Sequence, residues 1–234
     1  MVSRVLKKFL IVYLIVVLII DLGVFECGHT KIYFVDVGQG DCSLIVTSNN
    51  KKILIDGGGS YDEDYDVGEN VTLPYLLDRR ISKLDYVIIS HFDSDHVQGL
   101  WAVLKNIKVE NVVISKQYEM TENFEKFLEI VKDKGLNVLV VKKGDVIKVD
   151  KWARIEVVFP VADVKDYISQ NAINNNSIVC KFGDRNVSVL FTGDIEKVAE
   201  ERLVQLYKGS AVLEADILKV AHHRFENLVC FGVY

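Results

Sequence analysis

The stretch Asp85-Tyr86-Val87-Ile88-Ile89-Ser90-His91-Phe92-Asp93-Ser94-Asp95-His96 decides how the rest of the chain is read. Its first half is a β-forming, apolar run of the kind that lies buried in a sheet. Its second half brings two imidazoles and two carboxylates into the six residues 91–96. Four ionisable groups at a strand end make a poor packing solution, because each must be compensated when it leaves water. Imidazole and carboxylate together suit zinc, manganese or iron. A helix cap would explain one aspartate, not the whole set. If the chain stays extended beyond Ser90, His91, Asp93 and Asp95 fall on one side. His96 then joins them where a turn starts the next helix.

Working outward, two further segments have the same form. Val189-Leu190-Phe191-Thr192-Gly193-Asp194 sets a carboxylate just past an apolar strand, and Leu218-Lys219-Val220-Ala221-His222-His223 sets two imidazoles past another. Alone, Asp194 reads equally well as a cap for a helix beginning at Ile195. Three strand ends carrying ligand-type residues shift the reading toward a shared metal site. Around them, strands are expected at 31–37, 43–47, 52–55, 109–115, 138–141, 146–149, 154–159, 177–182, 187–192 and 217–220. Helices are expected at 71–80, 97–107 and 195–206, and from a Thr121 cap through Lys134, with Phe124, Phe127, Leu128 and Val131 on one stripe. Meandering strands with helices interspersed predict two sheets packed face to face with helices outside.

The chain has 234 residues, half of them hydrophobic and only 2 of them proline, which excludes a disordered or fibrous protein. Its 28 basic and 33 acidic residues give a formal charge of -5. That balance counts against tight, non-specific gripping of duplex nucleic acid. None of Cys27, Cys42, Cys180 and Cys230 forms a CxxC pair, so there is no thiolate zinc knuckle. Arg4, Lys7 and Lys8 precede an apolar run from Phe9 to Ile20. Residues 1–27 are therefore expected to be a signal anchor, with a cleaved signal peptide or a buried helix as alternatives. Either signal reading places the domain at 28–234 outside the cytoplasmic membrane, anchored or secreted.

The segment HFDSDH at 91–96 resembles the HxHxDH motif of the metallo-β-lactamase superfamily, with aspartate in place of the second histidine. That variant is typical of the extracytoplasmic hydrolase domain of ComEC-type DNA-internalisation proteins. FVDVGQGDCSLI at 34–45, ILIDGG at 53–58, NNNSIV at 174–179, LFTGD at 190–194 and LKVAHH at 218–223 agree with the same subgroup in the same order. The resemblance implies an α/β fold, the four-layer αββα sandwich, with two divalent metal ions where its sheets meet, zinc before manganese. On matching positions it implies His91 and Asp93 at one metal, Asp95, His96 and His222 at the other, and Asp194 between them. His223 takes a structural or substrate-facing role. Asp36, Asp41 and Asp56 lie near the family's site, where Asp36 or Asp56 would orient ligands. Asp95, Asn176 and Ser177 are the candidate catalytic residues, Asp95 orienting a metal-bridging hydroxide and the other two the substrate.

The implied function is a metal-dependent phosphodiesterase or nuclease acting on a phosphodiester or nucleic-acid substrate. A thioesterase or β-lactamase-like hydrolase is the alternative within enzymes. The ComEC proteins carry a multi-span channel, and at most one span is visible here, so a separate membrane channel protein is an expected partner. Relatives continue past the double histidine with Gly-Ser and further elements, whereas Arg224-Phe225-Glu226 follows here and the sequence ends at Tyr234. The resemblance thus also implies a sandwich shortened at its C-terminus. An inactive metal-binding domain with an interaction role is the alternative of a different class.

Overall fold

In a computed structural model of the chain, the described residues are 8–9, 11–13, 28–62, 64–161, 171–185 and 187–221. The apolar leader and the pair His222 and His223 fall largely or wholly outside them. Among the described residues no helix is long and apolar enough to cross a membrane.

Among the described residues, eleven strands form two sheets. The first holds β1 (Lys31–Phe34), β2 (Ser43–Val46), β3 (Lys52–Ile55), β4 (Lys83–Ile88), β5 (Lys108–Ser115) and β6 (Val138–Val141) in sequence order. β1 to β3 are an antiparallel meander, and β3 to β6 run parallel. Each parallel step needs a crossover. These crossovers carry α1 (Leu73–Asp78), α2 (Ser94–Asn106) and α3 (Glu122–Lys134). The second sheet holds β7 (Val146–Lys148), β8 (Ala153–Phe159), β9 (Val179–Asp184), β10 (Val187–Phe191) and β11 (Ile217–Lys219), in the order β11-β10-β9-β8-β7. Only its β10–β11 step is parallel, and it crosses over through α4 (Lys197–Leu206).

Alternation along the strands builds the layers. In β3, Ile53 and Ile55 face the second sheet while Leu54 faces the helices. In β10, Val189 and Phe191 face the first sheet while Leu190 packs beneath Ala199 and Leu203 of α4. Between the sheets Ile45, Ile53, Ile88, Ile155, Cys180, Phe182 and Val189 are buried, each large side chain stabilising by about 1.5–3 kcal/mol relative to exposure. A bulge between Val157 and Phe159 breaks the alternation of β8 and sends both Val158 and Phe159 to the α4 side. The result is helix, sheet, sheet, helix: the αββα arrangement expected.

Helix boundaries hold one correction that bears on the site. The sequence places the helix after the motif at 97–107, but α2 begins at Ser94, with Asp93 as its N-cap residue. The Asp93 carbonyl accepts from the backbone N–H groups of His96 and Val97. Asp95 and His96 therefore sit in the first helical turn, not on an extended edge with His91. Thr121 caps α3 as expected, its hydroxyl accepting from Phe124 N, and Gly135 ends that helix at φ +63°. Cys42 and Cys180 are buried free thiols, whose pKa values burial pushes up.

Candidate metal centre

The centre lies where β4, β3 and β10 end. β4 delivers Ser90 and His91, the turn into α2 delivers Asp93 and His96, the end of β3 delivers Asp56, and the end of β10 delivers Asp194. One ligand-type atom each from His91, His96 and Asp194 falls within 4.8 Å of the others, and all three residues are buried. His96 Nε2 is 3.3 Å from Asp194 Oδ2, and His91 Nε2 is 3.7 Å from Asp93 Oδ2. The two imidazole rings are 4.2 Å apart at their centroids.

Behind the imidazoles, Asp56 acts as a hub. Its Oδ1 accepts from Ser90 N at 2.8 Å, and its Oδ2 accepts from Ser90 Oγ at 2.8 Å and meets His96 Nδ1 at 3.0 Å. Because Ser90 spends its proton on Asp56, its oxygen is left to accept from His91 Nδ1 at 2.9 Å. Both rings thus carry a proton on Nδ1 and turn Nε2 toward the centre. Carboxylate-backed imidazoles of this kind are the usual arrangement behind metal-ligating histidines. Burial works against a charge on His96, but the Asp194 and Asp56 carboxylates outweigh it and push its pKa up to about 11. The two carboxylates thus favour the protonated ring of His96, and a divalent ion held at Nε2 would take the place of that proton.

Glycine permits the close fit around the motif. A Cβ on Gly40, at φ +81°, would lie 1.5 Å from the Asp95 carbonyl oxygen, and one on Gly59 would lie 2.3 Å from that of Ser94. Gly57 N donates to the His96 carbonyl at 2.8 Å. Gln39 Nε2 donates to Asp95 Oδ2 at 3.2 Å and to Tyr61 Oη at 3.0 Å. The loops at 38–41 and 56–59 therefore form a collar around the start of α2.

The remaining candidates are placed as follows. Asp194 does not cap α4, whose N-cap is Glu196. Instead Asp194 N donates to Ser177 Oγ at 3.3 Å. Asn176 Nδ2 donates to the Lys116 carbonyl at 2.8 Å. Asp36 sits away from the hub, in a local turn where its Oδ1 accepts from Gly38 N. Burial pushes the Asp41 carboxyl up, and its ion pair with Lys219 opposes that; the pair ties β11 to the collar. His222 and His223 lie outside the described residues.

Sequence reasoning missed Ser90, Gln39 and Lys219. Only the glycine runs beside Gln39 and Asp56 gave a signal, as places where another backbone comes close. Two imidazoles and a carboxylate, buried and backed by Asp56, fit a divalent ion of the zinc, iron or manganese class.

The model of the metallo-beta-lactamase superfamily matches residues 35–228. ComE operon protein 3 of Bacillus subtilis is 32% identical over 215 residues, 86% of this chain and 26% of that protein. Recombination protein 2 of Haemophilus influenzae is 29% identical over 191 residues, 80% of this chain and 20% of that protein. The chain spans about a quarter or less of the length of these curated relatives. Among solved structures, MEM-A1, a subclass B3 metallo-beta-lactamase isolated from a soil metagenome library, is similar with a TM-score of 0.51. Its identity is 15%, and the match covers 82% of this chain and 76% of that one. That likeness is one of fold.

Proposed function

The chain belongs to the metallo-beta-lactamase superfamily, and from that premise we propose that it is a divalent-metal phosphodiesterase or nuclease working outside the cytoplasmic membrane. The observation that carries the reading is the convergence of His91, His96 and Asp194 at one edge of the sandwich, with Asp93 and Asp95 supplied by the turn beside them. Hard carboxylates next to imidazoles suit ions that bind phosphoryl oxygens. The likeness to recombination protein 2 supports a nucleic-acid substrate.

His91, Asp93, Asp95, His96 and Asp194 would hold the metal, zinc before manganese, and His222 would complete the set. When bound, divalent ions here supply Lewis acidity toward a phosphoryl oxygen and make water a stronger acid. The protein's own groups do the rest. Asp56 and Ser90 fix both imidazole tautomers, so that no reorganisation is needed as charge develops. Gln39 holds the Asp95 carboxylate, which would orient the attacking hydroxide. Ser177 holds the Asp194 backbone in place. A membrane contact through the apolar leader and a separate channel protein are the partners of this reading.

The test uses the full chain loaded with zinc or manganese. Cleavage of bis(p-nitrophenyl) phosphate and of short DNA, abolished in Asp95→Ala, is the expected result. Inertness toward phosphodiesters with turnover of a thioester or lactam would transfer the claim to that chemistry. Metal binding without any turnover would favour the interaction role.

A further inference from the structure

No local constraint requires glycine at position 183. Every other glycine among the described residues either holds a left-handed φ or would put a Cβ within 3.0 Å of a neighbour. Gly183 lies inside β9 and does neither: a Cβ there would meet nothing within 4 Å. A glycine weakens a strand, and it often marks a place where a ligand comes close. The register shows what the missing side chain leaves open. Gly183 pairs with Arg154 of β8 on one side and with Ser188 of β10 on the other. Ile155 and Phe182 pack between the sheets, so Arg154, Lys181 and Gly183 lie on the outer face of the second sheet. A hollow of about 340 Å³ sits there, lined among others by Trp152, Arg154, Lys181, Gly183, Arg185 and Ser188. Ser188 is at the start of β10 and Asp194 follows its far end, so the hollow and the metal centre lie at opposite ends of that strand.

The acidic groups at the hollow are already engaged. Glu156 pairs with Arg154 at 2.5 Å, Asp216 Oδ2 accepts from Ser188 N and Oγ, and Asp184 Oδ2 accepts from Thr30 Oγ1. Lys181 and Arg185 enter no ion pair among the described residues. Trp152 holds the second of these cations in place, with the Arg185 guanidinium 4.4 Å from its ring centroid, and Lys151 Nζ lies 4.6 Å from the same ring.

We propose that this hollow binds a nucleotide unit, with the phosphate between Lys181 and Arg185 and the base in the space over Gly183, walled by Trp152. Guanidinium and ammonium groups left without a carboxylate suit a phosphoryl group. Basic groups gathered around an aromatic ring are the general means of holding a nucleotide or a single strand. The volume falls within the range of small-ligand pockets and is more than a bare phosphate fills. A free nucleotide and one unit of a single strand offer the same chemistry. The site stands whether or not the metal centre cleaves phosphodiesters.

The full chain is titrated calorimetrically without added metal, so that the centre holds no ion to attract phosphate. Adenosine 5′-monophosphate is expected to bind saturably, and ribose 5-phosphate, which has no base, roughly tenfold more weakly. Gly183→Val fills the hollow at a strand position that favours β-branched residues. It should unfold in urea like the wild type and bind the nucleotide at least tenfold more weakly. Lys181→Gln, which leaves the hollow open, should weaken binding in the same direction. Oligo(dA) bound at least tenfold more tightly than the mononucleotide would identify a strand as the source, and equal affinity a free nucleotide. No binding of adenosine 5′-monophosphate, equal affinity for the two small phosphates, or an affinity untouched by both variants overturns the site.

Discussion

His91 and His96 come from the first sheet and Asp194 from the second, and the two sheets secure them differently. On the first side, Asp56 gathers Ser90, His96 and the β4 end into one hydrogen-bonded unit. The glycine collar then presses on the start of α2 with no room for a side chain. On the second side Asp194 N donates to Ser177 Oγ while the Asp194 carboxylate meets His96 Nε2 at 3.3 Å, and β11 is held by the Lys219–Asp41 pair and by Thr192 Oγ1 donating to the Lys219 carbonyl. The imidazoles are thus backed on their Nδ1 side by the first sheet, and the buried Asp194 carboxylate closes the centre from the second. Damage on the first side should cost folding; damage on the second should cost metal.

The largest contrast is between two glycines. Gly40→Ala puts a Cβ against the Asp95 backbone at a left-handed φ, and should destabilise by at least about 3 kcal/mol in urea unfolding. Gly183→Ala, in β9, meets nothing within 4 Å and should stay within about 0.5 kcal/mol of the wild type. Similar losses at both positions would remove the collar from the account. Next comes Asp56→Asn. It takes a buried charge from the hub and should cost about 3 kcal/mol, together with a 10–100-fold loss of metal affinity.

Asp194→Asn sharpens the comparison from the other side. Its metal affinity should fall at least tenfold, and unfolding of the metal-free protein should shift by about 1.5–3 kcal/mol, because His96 loses the Asp194 carboxylate but keeps Asp56. A variant that unfolds outright would show Asp194 to be a core residue after all. The smallest effect concerns Asp85, far from the centre. Burial pushes its carboxyl up, but the Lys51 ammonium at 2.7 Å and the Lys52 N–H outweigh burial and hold it below the usual range. A depressed carboxylate stabilises above its unfolded pKa, and that stability is lost as pH falls through the folded one. The wild type should therefore lose about 1 kcal/mol more than Asp85→Asn when urea unfolding at pH 6 is compared with pH 3.

Part of this arrangement was legible in the sequence. The layers were, because meandering strands with helices interspersed leave two facing sheets covered by helices as the packing, and the Thr121 cap marks a helix without tertiary help. The motif at 91–96 stood out because four ionisable groups after a buried strand have no packing rationale. Its geometry did not, since period-two reasoning put His91, Asp93 and Asp95 on one edge while the helix begins at Ser94. Whether a polar segment stays extended depends on what covers it, and here the collar contributed by residues 38–41 and 56–59 does so. The choice of Asp56 over Asp36 as hub was likewise invisible. Both carboxylates follow β-type runs, and only the sheet register brings Asp56 beside Ser90.

If His91, His96 and Asp194 form a metal centre, titrating the full chain with metal is the decisive check. Calorimetric binding of zinc and manganese would be measured for the wild type, for Asp194→Asn and for Lys51→Met as a distant control. Tight, saturable binding of divalent ions is expected for the wild type and the control, weakened at least tenfold in Asp194→Asn. A folded wild type that binds neither ion, or binding indifferent to Asp194→Asn, would contradict it.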